Sequence, residues 1–364
     1  MNARANRREF ITLLGGASAW PLAARAQQGE RMRRIGILTA QAENDPAIKG
    51  YLAAFTKELN SFGWSEGRNL RIEIRMADGD AGRLNIYAAE LASLNVDLIV
   101  SHGTSVTQTQ QQQTRTIPIV FTTVTDPVGS GLVESLARPG GNTTGFTNFE
   151  FSMAGKWVEL LKEIAPPVRR VTIVFNPDNA AMPGQLRAIA EAASALGLQT
   201  AEAHVRDSAG IERAINELAL VSNVGLVVLP EFVTTFHRGL IVELAARHRL
   251  PAVYSQRNFI NSGGLICYGP DNDDDYRRAA SYVDRILRGE KPAELPIQQP
   301  TKFELVINLK AAKARAANGD KLHLHAQCRC VSSPLVEVGS MRGIVGIPEK
   351  GHTRNCRNGH FEKL

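Results

Sequence analysis

Gly103-Thr104-Ser105 follows a short apolar run, Val96-Asp97-Leu98-Ile99-Val100, and heads a polar, Gln-rich segment. A helix opening there presents unpaired backbone N–H groups and the positive end of its dipole, which suits a carboxylate or another anion. The hydroxyls of Thr104 and Ser105 are equally suited to capping that helix. Asp126, next to Thr125 and before Pro127, has the charge to pair with an ammonium group, or to stabilise a turn. Glu231 has the same two readings. Asn176 stands in the loop after another apolar run. Phe232, Tyr254 and Tyr268 offer rings that stack on a ligand or fill the core.

These residue types bind rather than react. There is no G-x-S-x-G elbow, no P-loop, and no G-x-G-x-x-G after the first apolar run, which leads into Gln41-Ala42-Glu43. His102 has no Cys or Asp at a spacing that would make it part of a catalytic triad. Asp271-Asn272-Asp273-Asp274-Asp275 partly resembles a calcium loop, but lacks its Gly and its later Glu. It reads as the acidic start of the next helix. Neither a cofactor, a metal site nor a catalytic group is expected.

The positioning elements follow from apolar spacing. Residues 34–39, 70–76, 96–100 and 117–121 read as strands, with helices from Pro46, over 83–94 and over 104–114 between them. The pattern repeats: helix 157–164, strand 171–175, helix 185–196, strand 199–204, helix 211–220, strand 224–229, helix 240–248, strand 252–254. Such alternation with short loops predicts α/β architecture, with two doubly wound parallel-sheet lobes. The Gly-rich stretch 140–145 is a candidate hinge strand. A third segment, helix 276–287 and extended pieces 295–299 and 303–307, returns after two complete lobes and predicts a three-crossover hinge. The expected lobes are 33–147 plus 272–294, and 148–271 plus 295–312. In open parallel sheets ligands sit beyond the C-terminal strand ends, which selects the loops carrying the residues above.

The net charge of +6 belongs to the ends. Residues 27–312 hold 29 basic and 31 acidic residues, so the body has no basic character with which to track nucleic acid. Residues 1–26 join Arg7-Arg8, a weakly apolar stretch and Ala24-Arg25-Ala26, in the order of a twin-arginine export signal. Periplasmic placement is therefore expected, with no cysteine at the cleavage point to carry a lipid. Cys267 is the only cysteine of the body.

Asp126-Pro127-Val128-Gly129-Ser130-Gly131-Leu132-Val133, Leu136-Ala137-Arg138-Pro139-Gly140-Gly141-Asn142-Thr143-Thr144-Gly145 and Pro300-Thr301-Lys302-Phe303-Glu304-Leu305-Val306-Ile307-Asn308 occur in order. Together with Ile117-Pro118-Ile119-Val120-Phe121, Gly263-Gly264-Leu265 and Tyr268-Gly269-Pro270, they resemble the ABC-transporter substrate-binding family, best known for tryptophan-type uptake proteins. The resemblance spans about residues 7–312. It implies a periplasmic-binding-protein type I fold and a monomer that is not an enzyme. It also implies a small-molecule ligand, an amino acid or related solute, delivered to an ABC permease and ATPase in the inner membrane. It carries Thr104, Asp126 and Asn176 over as cleft positions. A periplasmic α/β hydrolase and a repressor's effector domain are the alternatives. The first needs a nucleophile–base pair not found here; the second needs a helix–turn–helix where the export signal stands. Beyond Ala314 the resemblance stops. Residues 313–364 form an atypical tail expected to be disordered, and a change of reading frame near Ala314 would account for it.

Overall fold

The computed structural model describes residues 32–317. The expected export signal, 1–26, and residues 318–364 of the expected tail lie outside the described residues; residues 313–317 of that tail, expected to be disordered, are helical instead.

The first lobe is a parallel sheet of β1 (Arg33–Thr39), β2 (Leu70–Met76), β3 (Leu98–His102), β4 (Ile119–Val124) and β5 (Thr143–Thr147), in the order β2-β1-β3-β4-β5. Its helices are α1 (Pro46–Ser61), α2 (Ala81–Ser93) and α3 (Thr104–Gln113). Each begins where the local chemistry stops an extended chain. Asp45 caps α1 by accepting from the Ala47 N–H, with Pro46 at the first helical position. Asp80 caps α2 through the Arg83 N–H. Both faces of the sheet are covered: Ile35, Ile37, Phe55 and Leu98 pack on one side, Leu38, Leu84, Leu91 and Ile99 on the other.

The second lobe contains α4 (Ser152–Ile164), β6 (Arg170–Phe175), α5 (Met182–Ala195), β7 (Gln199–His204), α6 (Ser208–Leu218) and β8 (Val224–Val228). It continues with α7 (Phe232–Phe236), α8 (Arg238–Arg247), β9 (Ala252–Tyr254), α9 (Arg257–Asn261) and β10 (Ile266–Pro270). The chain then returns to the first lobe as α10 (Asn272–Leu287), which packs against α1 and β4. It comes back as β11 (Phe303–Ile307) and ends its described part in α11 (Leu309–Ala317). The second sheet runs β11-β10-β9-β8-β6-β7, with only β11 antiparallel to its neighbour.

Three crossovers therefore join the lobes, at 147–152, 270–272 and 299–303. They are tied together: the Asp271 N–H donates to the Lys302 carbonyl at 3.1 Å. Arg278 donates to the Gln299 carbonyl at 3.1 Å. The 295–299 segment, expected with the second lobe, pairs instead with the first. The Gln298 N–H donates to Gly145 O and the Thr147 N–H to Gln298 O, so this piece lengthens the β5 edge. The free edge of β5 has backbone groups to satisfy, and this segment supplies their partners.

The sequence pattern misses β10 and the short helices α7 and α9. β10 is framed by Gly263-Gly264 and ends in Gly269-Pro270, which read as turn residues. Gly269 is required by close approach, since a Cβ there would lie 1.9 Å from the Ser255 carbonyl oxygen. The acidic run belongs to a helix start, as read: the Asp271 side chain accepts from the Asp273 and Asp274 N–H groups.

Candidate functional site

The C-terminal ends of both sheets face each other across one cleft. Its lining comes from the loops after β1 (Ala40, Gln41) and β3 (His102 to Val106), from Thr123, and from Asn148 on the first crossover. Across the gap stand Asn179, Pro230, Glu231, Phe232, Thr235 and Gln256 of the second lobe. The gap, counting its open mouth, holds about 420 Å³ of empty space.

The lobes touch at its rim. Arg238, at the start of α8, pairs with Asp45 of the first lobe at 2.8 Å, their side chains 16% and 6% exposed. Phe232 packs against the core of either lobe. A Cβ on Gly79 would lie 2.7 Å from the Phe236 ring. This is a closed arrangement.

Of the residues selected from the sequence, Thr104, Ser105, Glu231 and Phe232 line the cleft. The N-cap of α3 is Gly103, at φ 95°, with no side-chain capping bond. Thr104 Oγ1 turns away and accepts from the Thr125 N–H at 3.1 Å. The first bond of the helix is from Thr107 N–H to Gly103 O. The N–H groups of Thr104, Ser105 and Val106 thus have no partner among the described residues, and the three residues line the cleft. Thr125 is a buried support: its hydroxyl donates to Asn148 Oδ1 at 2.9 Å.

Three selected residues are engaged elsewhere, off the lining. Asp126 closes a turn by accepting from the Gly129 N–H at 2.9 Å, and its other oxygen abuts Gly184 of the second lobe. Asn176 Oδ1 accepts from the Asp178 N–H at 3.0 Å. Tyr254 is a core ring, stacked on Phe259 at 4.9 Å. Short polar side chains at strand ends satisfy their own backbone first. Glu231 combines cleft and cap: its oxygens accept from Val233 and Thr234 N–H groups at 2.9 and 2.7 Å.

Gln41, His102, Thr123, Asn148, Asn179, Thr235 and Gln256 complete the lining. All but Asn148 and Thr235 lie in loops that the strand-end rule selects, yet beside the hydroxyls of Thr104, Ser105 and Thr125 and the amide of Asn176 nothing in residue type singles them out. Asn148 lies beyond the stretch 140–145 expected as a hinge strand, because β5 runs on to Thr147 and Asn148 follows it. The buried Gln41 Oε1 has no partner among the described residues, leaving an acceptor for a ligand donor.

Burial sets the electrostatics. Desolvation raises the Glu231 carboxyl to about 7, against the opposing effect of its two backbone donors. Asp275, buried at the start of α10 with Oδ2 unpartnered, is raised by burial to about 8. Desolvation by the surrounding protein lowers His102 to about 4, so its ring is neutral. A raised carboxyl binds its proton more tightly folded than unfolded. The stability from Glu231 and Asp275 is full below about pH 4 and is lost as pH rises through about 7 and about 8. His102 acts oppositely, costing stability as pH falls below about 6.5. The melting temperature is therefore expected to rise as pH drops from about 8.5 to about 6.5, and Asp275→Asn to flatten that rise. A thermal melt series over this window checks it; an unchanged slope in the variant removes Asp275 as its source.

Two parallel-sheet lobes, three crossovers and one shared cleft define a type I periplasmic-binding-protein fold. Within that class the chain belongs to the ABC transporter substrate binding protein family, whose model matches residues 37–320. The chain is 26% identical over 286 residues to the tyrosine-binding protein of Clostridioides difficile, covering 78% of this chain and 81% of the relative. A conserved domain protein from Vibrio cholerae superposes with a TM-score of 0.73 at 28% identity, over 79% of this chain and 95% of that one. The ligand-free, open structure of a substrate binding protein with adhesive properties from Clostridium difficile gives a TM-score of 0.58 at 25% identity, over 84% and 98%. The family is one of substrate-binding proteins, and the two relatives from Clostridioides and Clostridium difficile are described as binding proteins. Among the described residues no helix is long and apolar enough to cross a membrane.

Proposed function

We propose that this chain is the periplasmic solute-binding component of an ABC-type uptake system, carrying an amino acid to a membrane permease and its ATPase. The observation that carries the reading is the uncapped start of α3. Three N–H groups without a partner among the described residues share one cleft with Asn148 beside them and with the amides of Asn179 and Gln256 on the other lobe. The solute carboxylate docks on the α3 start, where N–H groups and dipole act together. The partner-free Gln41 Oε1 accepts from a ligand donor. The relative that binds tyrosine supports an amino acid as the solute. The twin-arginine reading of residues 1–26 supplies the export route, and the chain works as a monomer.

Closure follows from differential contact. A solute touching both lobes stabilises the closed form by the contacts that only this form makes. The lower TM-score with the open relative accords with the closed arrangement of the lobes here.

A thermal-shift screen with amino acids, nucleosides and small organic acids tests the reading. At a hundredfold excess over Kd, a ligand of the folded state adds about 2.7 kcal/mol of stability. L-tyrosine is expected to raise the melting temperature. A shift confined to nucleosides, or none with any amino acid, contradicts the assignment.

A further inference from the structure

His102 sits at the end of β3, and its ring faces the cleft. Three hydroxyls converge on its Nδ1: Thr123 Oγ1 at 2.8 Å and Tyr276 Oη at 3.0 Å, with Thr122 Oγ1 farther off at 3.4 Å. The ring also lies in an aromatic group, 5.7 Å from Tyr276 and 6.2 Å from Tyr51, with the two tyrosines stacked at 5.3 Å. These contacts pack the ring on its tyrosine side.

Thr123 reaches His102 through a distorted strand. β4 and β5 pair in register up to Phe121–Gly145 and resume at Val124–Thr147, so β4 carries one extra residue. That is a β-bulge, a device that re-aims a side chain. Thr123 lies within it at φ 52°, where a β-branched residue is a genuine outlier. Backbone strain of this kind persists only where the surroundings enforce it, and it gathers at binding sites. Here it places the Thr123 hydroxyl against the imidazole, nearer Nδ1 at 2.8 Å than Nε2 at 3.4 Å.

We propose that Thr123 and Tyr276 are positioning residues that hold His102 as a neutral ring with its proton on Nε2, and that this N–H selects solutes with an acceptor facing β3. The inference rests on the solute-binding reading of the cleft. The phenol of Tyr276 is the strongest donor in the group, and burial keeps it protonated. It donates to Nδ1, which fixes the tautomer at the other nitrogen. The selected solutes have a hydroxyl, carbonyl or carboxylate oxygen at that position.

The test uses the full chain labelled with 15N-histidine. Without any ligand, the His102 resonances, assigned by their loss in His102→Gln, are expected to show unprotonated Nδ1 and protonated Nε2. Thr123→Gly, which accommodates the positive φ but removes the hydroxyl, is expected to blur that preference, and Thr123→Ser to restore it. L-tyrosine is then added. It is expected to shift the Nε2–H signal, with Kd raised about tenfold in Thr123→Gly and recovered in Thr123→Ser. A proton on Nδ1 in the wild-type protein overturns the proposal. So does L-tyrosine binding equally well to the Gly and Ser variants with no shift at Nε2. L-tyrosine that fails to bind the wild-type protein counts against the solute reading, while the ligand-free spectrum still decides the tautomer.

Discussion

Ser105→Asp is expected to abolish amino-acid binding while leaving the protein at least as stable as the wild type. Ser105 is the second residue of α3, at a helix start that no side chain caps. An aspartate there meets the positive end of the dipole and contributes about 0.3–1 kcal/mol to the helix. The same carboxylate occupies the place assigned to the ligand's. Two like charges about 4 Å apart repel by roughly 4 kcal/mol at the effective dielectric of a protein surface. A hundredfold loss of affinity takes about 2.7 kcal/mol, so binding falls by more than that. Ser105→Asn has nearly the same shape without the charge, and is expected to bind within tenfold of wild type. Calorimetric titration and melting curves on both variants separate the two effects. If Ser105→Asp binds like Ser105→Asn, the α3 start holds no anion.

The second large effect concerns the ion pair across the rim. Asp45 and Arg238 belong to opposite lobes and are mostly buried. Arg238 also donates to the Thr235 carbonyl at 3.1 Å, while its Nε has no partner. Removing one member of such a pair leaves a buried charge and typically costs 3–5 kcal/mol, or about that order. Here the chain can escape that cost by opening, which returns Arg238 to water. Asp45→Asn keeps the α1 cap, since asparagine caps as well as aspartate, so the effect falls on closure. A smaller closed fraction weakens apparent affinity in proportion. The expected loss in Asp45→Asn is at least about tenfold, or 1.4 kcal/mol. Asp45→Asn/Arg238→Gln is expected to recover much of it, because no unpaired charge remains. The double-mutant cycle reads the coupling directly. Additive single losses would mean that the pair is a bystander to closure.

The lobes were legible because period and turn chemistry agree over long stretches. Residues 70–76 alternate strictly and form β2; the apolar spacing from Pro46 forms α1. Short elements were not legible. β10 carries its own Gly and Pro, and α7 and α9 have five residues each, too few to establish a helical period. The cleft was legible as a set of loops, because strand ends in a parallel sheet converge whatever their residues are. Which side chains face it was less so. Choosing by charge and aromaticity favoured Asp126 and Tyr254, whose carboxylate and ring serve a turn and the core. Amides such as Asn148, Asn179 and Gln256 line the gap instead. Whether a strand-end polar group faces inward depends on local backbone demands, and those are set by turn geometry that spacing does not encode.

The central claim is that one small solute lies between the lobes, held by both. A crystal structure of the protein grown with L-tyrosine tests it most directly. Density for the amino acid is expected in the cleft, with its carboxylate on the N–H groups of Ser105 and Val106. Its other end should contact Asn179 or Gln256 across the gap. Density on an outer face, or touching one lobe alone with the cleft shut and empty, would contradict it.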